Sequence, residues 1–104
     1  MQEKTKVDTF IGFAIRSGKY KIGTNACATL KKAELMIVCN TASENTKKDA
    51  LKLSKKLRCE LYETIGKPLA ESVFKENAKV MAITDKALAK AIIENAENDL
   101  KGIN

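Results

Sequence analysis

Histidine is absent from the 104 residues. That removes the usual general base at neutral pH and the commonest nitrogen ligand of zinc. The three cysteines, Cys27, Cys39 and Cys59, are odd in number and widely spaced, with no Cys-x-x-Cys pair. Such a pattern speaks against both a zinc site and a disulfide framework, and predicts reduced thiols, with Cys39 on a buried strand. Neither a Walker-type phosphate loop nor a Gly-x-Gly-x-x-Gly fingerprint is present. No apolar run approaches the ~20 residues that cross a bilayer. The opening Met-Gln-Glu-Lys-Thr-Lys-Val-Asp lacks the apolar stretch of a secretory signal. No repeat, low-complexity tract or linker interrupts the chain. The expectation is a single cytoplasmic domain over residues 1–104, with no cofactor, no metal, no membrane partner and no small-molecule substrate.

Hydrophobic residues make up 44% and charged ones 31%, a globular balance with a net charge of +6. The distribution of that charge is more informative than its sum. Residues 1–32 hold seven cations (Lys4, Lys6, Arg16, Lys19, Lys21, Lys31, Lys32) against Glu3 and Asp8, a net +5. The remaining two thirds are close to neutral. A concentrated basic segment is the electrostatic footprint of a polyanion site. An anionic membrane surface is the other candidate, but no long helix pairs a basic face with large apolar residues.

Apolar periodicity outlines alternating helices and strands. Val7, Phe10, Ile11, Ala14 and Ile15 predict an amphipathic helix over 5–16, stopped by Gly18. Tyr20 to Ile22 reads as a short extended piece. A second helix is expected over 24–32, capped by Thr24. The nearly continuous apolar run 34–39 marks a strand buried on both faces. Ser43 caps a third helix over 44–57, whose outer face carries Lys47, Lys48, Lys52, Lys55 and Lys56. Residues 59–64 form another strand around Leu61. Pro68 suits the first position of a fourth helix, with Leu69, Ala70, Val73 and Phe74 on its apolar face. Val80 to Ile83 is a third buried strand, and Thr84-Asp85 starts a last helix over 86–99 before a short tail at Gly102. The fold class is therefore α/β, a three-layer α/β/α sandwich around a mixed sheet of about four strands.

The stretch Lys19-Tyr20-Lys21-Ile22-Gly23-Thr24-Asn25 stands out within this frame. Gly23 permits a sharp turn or a close approach by a ligand. The helix that follows presents backbone N–H groups able to meet a phosphate. At helical spacing Asn25, Thr29 and Lys32 share one face, while Ala26, Cys27 and Leu30 turn to the core. An amide, a hydroxyl and an ammonium at such a tip point to nucleic acid. The same residues also suit a glycine turn and a cap on a small core helix.

Gly23-Thr24-Asn25, the buried strand and Ala42-Ser43-Glu44-Asn45-Thr46-Lys47-Lys48 resemble the L7Ae/L30e ribosomal-protein family, within it the small bacterial YlxQ-type members. The likeness spans about residues 7–93. It implies an α/β/α sandwich that binds RNA kink-turns, in which a three-nucleotide bulge flanks tandem sheared G·A pairs. By position, the resemblance implies that Gly23 lets the backbone approach RNA, that Asn25 meets a guanine edge, and that Thr24 caps the helix. It places the flipped-out bulge nucleotide against the connector Lys75-Glu76-Asn77-Ala78-Lys79. Lys19, Lys21, Thr29 and Lys32 complete the expected RNA-binding set, and the ribosome is an expected partner.

Two positions depart from the fuller family pattern, Gly-x-Asn-Glu-x-x-Lys. Here its glutamate and lysine are Ala26 and Thr29. Losing an acceptor and a cation costs ~1–3 kcal/mol each where their partners go unpaired. Rival functions belong to other classes. A thiol enzyme would use Cys27 near a helix N-terminus, where a thiol pKa is lowered, yet no histidine is available as base. A protein-interaction adaptor on the ribosome or a ribonucleoprotein would use the lysine face of the third helix, which is equally a solvated surface. The expectation is a non-enzymatic RNA-binding protein.

Overall fold

The computed structural model describes residues 5–66, Leu69, 78–96 and 99–103. In chain order the elements are α1 (Lys6–Ser17), β1 (Tyr20–Ile22), α2 (Thr24–Ala28), β2 (Leu35–Val38), α3 (Glu44–Lys56), β3 (Glu60–Thr64), β4 (Val80–Ile83), α4 (Lys86–Glu94) and β5 (Leu100–Gly102). The expected helix starting at Pro68 lies outside the described residues except for Leu69, which is fully buried.

The strands form one mixed sheet in the order β1-β4-β2-β3-β5. β2 and β3 run parallel, joined by the α3 crossover, and the other neighbouring pairs are antiparallel. Among the described residues the sheet has five strands rather than about four. Leu100–Gly102, expected as a tail, pairs with β3 instead, Leu100 opposite Thr64. A three-residue segment shows no alternation of its own, so only its partner makes it a strand.

At the centre, every residue of β2 and β4 is buried. Strands covered on both faces read as unbroken apolar runs, and Leu35-Met36-Ile37-Val38 and Val80-Met81-Ala82-Ile83 are two such runs. α2 packs with α3, and α1 with α4. Together they cover the sheet and give the expected layers. Ile11, Leu61, Met81 and Ile92 are among the large side chains fully withdrawn from water.

Helix ends follow local chemistry. Thr5 and Asp8 form a capping box on α1, and Gly18 closes it in the left-handed conformation at φ 72°. Ser43 accepts from the Thr46 amide at the start of α3, and Asp85 from the Leu88 amide at the start of α4. Two helices are shorter than expected. α4 stops at Glu94, where Asn95 donates its side-chain amide to the Ala91 carbonyl. α2 stops at Ala28, because the Thr29 hydroxyl bonds back to the Ala26 carbonyl at 2.6 Å and the chain must then turn to enter β2.

Truncation at the centre of the sheet tests the packing. Ile37→Ala is expected to lower the unfolding free energy by ~2–5 kcal/mol, since a fully buried side chain leaves both lost transfer energy and a cavity. Urea unfolding should show a lower midpoint at an unchanged m-value.

Candidate functional site

The backbone of Gly23 sits at φ 97°, ψ 147°, a conformation that only glycine adopts without strain. Its amide donates to the Val80 carbonyl at 2.8 Å, which fastens the start of α2 to the start of β4. Gly23, not Thr24, is the N-cap, and no side chain caps this helix among the described residues. The Cys27 amide closes the first helical bond, onto the Gly23 carbonyl. The N–H groups of Thr24, Asn25 and Ala26 therefore face outward, beside the exposed Asn25. A five-residue helix has little macrodipole, so the polar groups offered at this tip are these amides and the Asn25 side chain.

Three other segments meet at this end of the sheet. The first is the end of the connector, where Ala78 is buried and Lys79 half-buried immediately before β4. The second is the loop leaving β2. The Cys39 amide donates to the Lys79 carbonyl at 2.7 Å, and the Lys79 ammonium reaches the Thr41 hydroxyl at 2.7 Å. The third is the end of β3, where the Thr64 hydroxyl accepts from the Asn40 amide at 2.9 Å. Asn40 also donates its side-chain amide to the Gly66 carbonyl. α3 begins here, with Lys48 exposed and Lys47 paired with Glu63 at 3.4 Å.

Of the expected RNA-binding residues, this arrangement gathers Gly23, Thr24, Asn25, Ala78 and Lys79. Lys75, Glu76 and Asn77 lie outside the described residues. Lys21 is exposed midway along β1, opposite Ala82. Thr29 is the C-cap of α2, one turn beyond Asn25 and still in helical conformation, whereas Lys19 and Lys32 are elsewhere. The Lys19 carbonyl accepts from Thr84, and the Glu34 amide donates to Ile83, both at the far end of β4. Lys32 stands two residues before Glu34 and pairs with it at 3.6 Å. Lys32 is thus parted from the face that the spacing assigned to it with Asn25 and Thr29. The helix ends at Ala28, and the chain that follows runs down to the opposite end of the sheet.

Asn40, Thr41 and Lys48 join the tip and were missing from the expected set. A polar strand-to-helix loop after a buried strand was the available signal.

The thiols sort by environment. Burial pushes Cys27 up to about 11, against a backbone hydrogen bond with Ala82. Burial, with the charges of Glu34, Cys27 and Glu60, pushes Cys59 up to about 11. Cys27 faces the core and does not have the lowered pKa expected of a helix-tip thiol. Burial also raises Cys39, but hydrogen bonds from Thr41 and Leu69 and the nearby Lys79 charge outweigh it and bring the group below its ordinary value. Among the described residues no group of three His, Cys, Asp or Glu side chains is placed to hold a metal ion, and no helix is long and apolar enough to cross a membrane.

With this geometry in place, comparison with known proteins is decisive for the family. A protein of Enterococcus faecium named RNA-binding protein YlxQ is 32% identical over 97 residues, covering 90% of this chain and 94% of the relative. The chain belongs to the YlxQ family. The fold is shared by a Bacillus halodurans protein of unknown function, with a TM-score of 0.74 at 18% identity, over 90% of this chain and 99% of that one. No family model matches.

The two raised thiols set a pH dependence. Above pH 9 the unfolded chain loses these protons while the folded protein retains them to about 11. Their contribution to stability is therefore full below pH 9 and declines between 9 and 11. Urea unfolding across that window should show a shallower decline for Cys59→Ala than for the wild type.

Proposed function

We propose that this member of the YlxQ family is a non-enzymatic, cytoplasmic RNA-binding protein that grips bent RNA of the kink-turn type, ribosomal RNA included. The observation that carries the proposal is the convergence of Gly23, Asn25, Thr41, Lys48 and Lys79 at one end of the sheet. The name of the Enterococcus faecium relative supports RNA as the ligand. The likeness of Gly23-Thr24-Asn25 to the L7Ae/L30e pattern supports the kinked form.

In this reading the site works by hydrogen bonding and charge. The side chain of Asn25 offers both a donor and an acceptor, which suits a base edge in a region where regular stacking is broken. Gly23 has no side chain to keep the RNA away, and a Cβ built there would meet no atom of the protein within 4 Å. Thr24, Asn25 and Ala26 supply backbone donors to phosphate oxygens. Lys48 and Lys79 supply charge without sequence preference. Ala26 and Thr29 offer no carboxylate and no cation, so Asn25 carries more of the base recognition than in the fuller family pattern.

Asn25→Ala is expected to weaken binding to a kink-turn hairpin by ~1–3 kcal/mol while leaving the fold intact, since Asn25 is exposed. Titration against the hairpin and a fully paired control measures it. Equal affinity of wild type and variant for the hairpin would remove Asn25 from the site.

A further inference from the structure

Part of the positive charge that the first third of the chain concentrates lies away from the Asn25 tip. Lys31 and Lys32 are carried to the other end of the sheet, where they meet the C-terminal end of α3. There Lys31, Lys32, Ala33, Glu34, Lys56, Leu57 and Arg58 line an open groove of about 410 Å³. It holds four cations and one carboxylate, and Glu34 is already engaged by Lys32.

Arg58 is the informative residue. Its φ is +56°, and among the described residues it alone is a non-glycine in the left-handed region. It follows the end of α3, with its amide on the Lys55 carbonyl and the Cys59 amide on the Ser54 carbonyl. Helices commonly close at this position with glycine, and an L side chain there costs ~1–2 kcal/mol. Folding alone therefore favours glycine at 58, yet the position holds an exposed cation. The α3 dipole favours a cation near this end, but it does not account for Lys31 and Lys32 arriving from a different segment to face Lys56 and Arg58.

The tip and the groove are connected. Lys48, Lys52, Lys55 and Lys56 are exposed at spacings of four, three and one, which keeps them on one side of α3 along its length. Lys48 begins at the tip, and Lys56 ends in the groove. From Lys48 to Lys56 the helix rises ~12 Å, so the two regions are joined by an unbroken row of ammonium groups.

We infer that the lysine side of α3 and the groove of Lys31, Lys56 and Arg58 form a track for the phosphate backbone of one RNA arm that extends away from the tip. The inference rests on the tip reading, because the bend held there directs the arm onto α3. The track reads no bases. It neutralises phosphates, so its signature is the salt dependence of binding.

The test uses the full chain carrying Lys31→Ala, Lys52→Ala and Arg58→Gly together, the last of which relieves the backbone at 58 and protects the fold. Binding is measured against salt for a kink-turn hairpin with long arms and for one with arms cut to the minimum that forms the bend. On the long-armed RNA the variant is expected to reduce the slope of log K against log salt by ~2–3, the loss of three phosphate contacts, with preference for kinked over paired RNA retained. On the minimal RNA, wild type and variant should coincide. An unchanged slope on the long-armed RNA overturns the track, as does an equal loss on both RNAs, which marks a diffuse field. Failure of the tip reading appears separately, as an Asn25→Ala protein that keeps full preference for kinked RNA.

Discussion

The antiparallel pairing of β2 with β4 governs everything else in this molecule. Leu35 lies opposite Ile83 and Val38 opposite Val80, and all eight residues of the two strands are buried. A shift by one residue would turn each of these apolar side chains to the opposite face of the sheet, so the packing on both faces holds the register. Once it is set, so are the segments at each end. Gly23, Lys79 and the loop after Cys39 come together where β4 begins. Lys19, Glu34 and Thr84 come together where it ends.

That division reorganises the electrostatics. Along the chain, Lys31 and Lys32 are near neighbours of Asn25. In space they are separated from it by the length of β4, ~10 Å for three residue steps. The separation is comparable to a Debye length at physiological salt, so charge at one end is only weakly felt by a ligand at the other. Among the described residues, Lys79 and Lys48, supplied from the centre and second half of the chain, bring charge to the tip. The α3 lysines, which in sequence look like a solvated helix face, become the bridge between the two ends.

The hydrogen bonds at the tip also have an order. Gly23 is bonded to Val80, Cys39 to Lys79, and Lys79 to Thr41. Each is anchored to residues flush with the buried strands, which places the exposed Asn25 on a rigid support despite the brevity of α2. Backbone strain at Gly23 is avoided by its lack of a side chain, whereas Arg58 adopts a left-handed conformation without that freedom. The two positions illustrate opposite uses of a positive φ: one leaves room, the other projects charge.

Local patterns determined the helices α1 and α3, the cap at Ser43, the two central strands and Gly23 as the special turn. In each case the governing interactions lie within a few residues: a 3.6-residue apolar period, a side-chain oxygen on a nearby amide, an unbroken apolar run. Tertiary structure alone decided that β5 is a strand, since its hydrogen bonds go to β3, and that α2 ends at Ala28, since the chain must descend to enter β2. It alone parted Lys32 from Asn25 and brought Thr41 to Lys79 across 38 positions of chain. Contacts between distant residues depend on strand order and register, and those are fixed by burial across the whole core, which no local stretch of sequence contains.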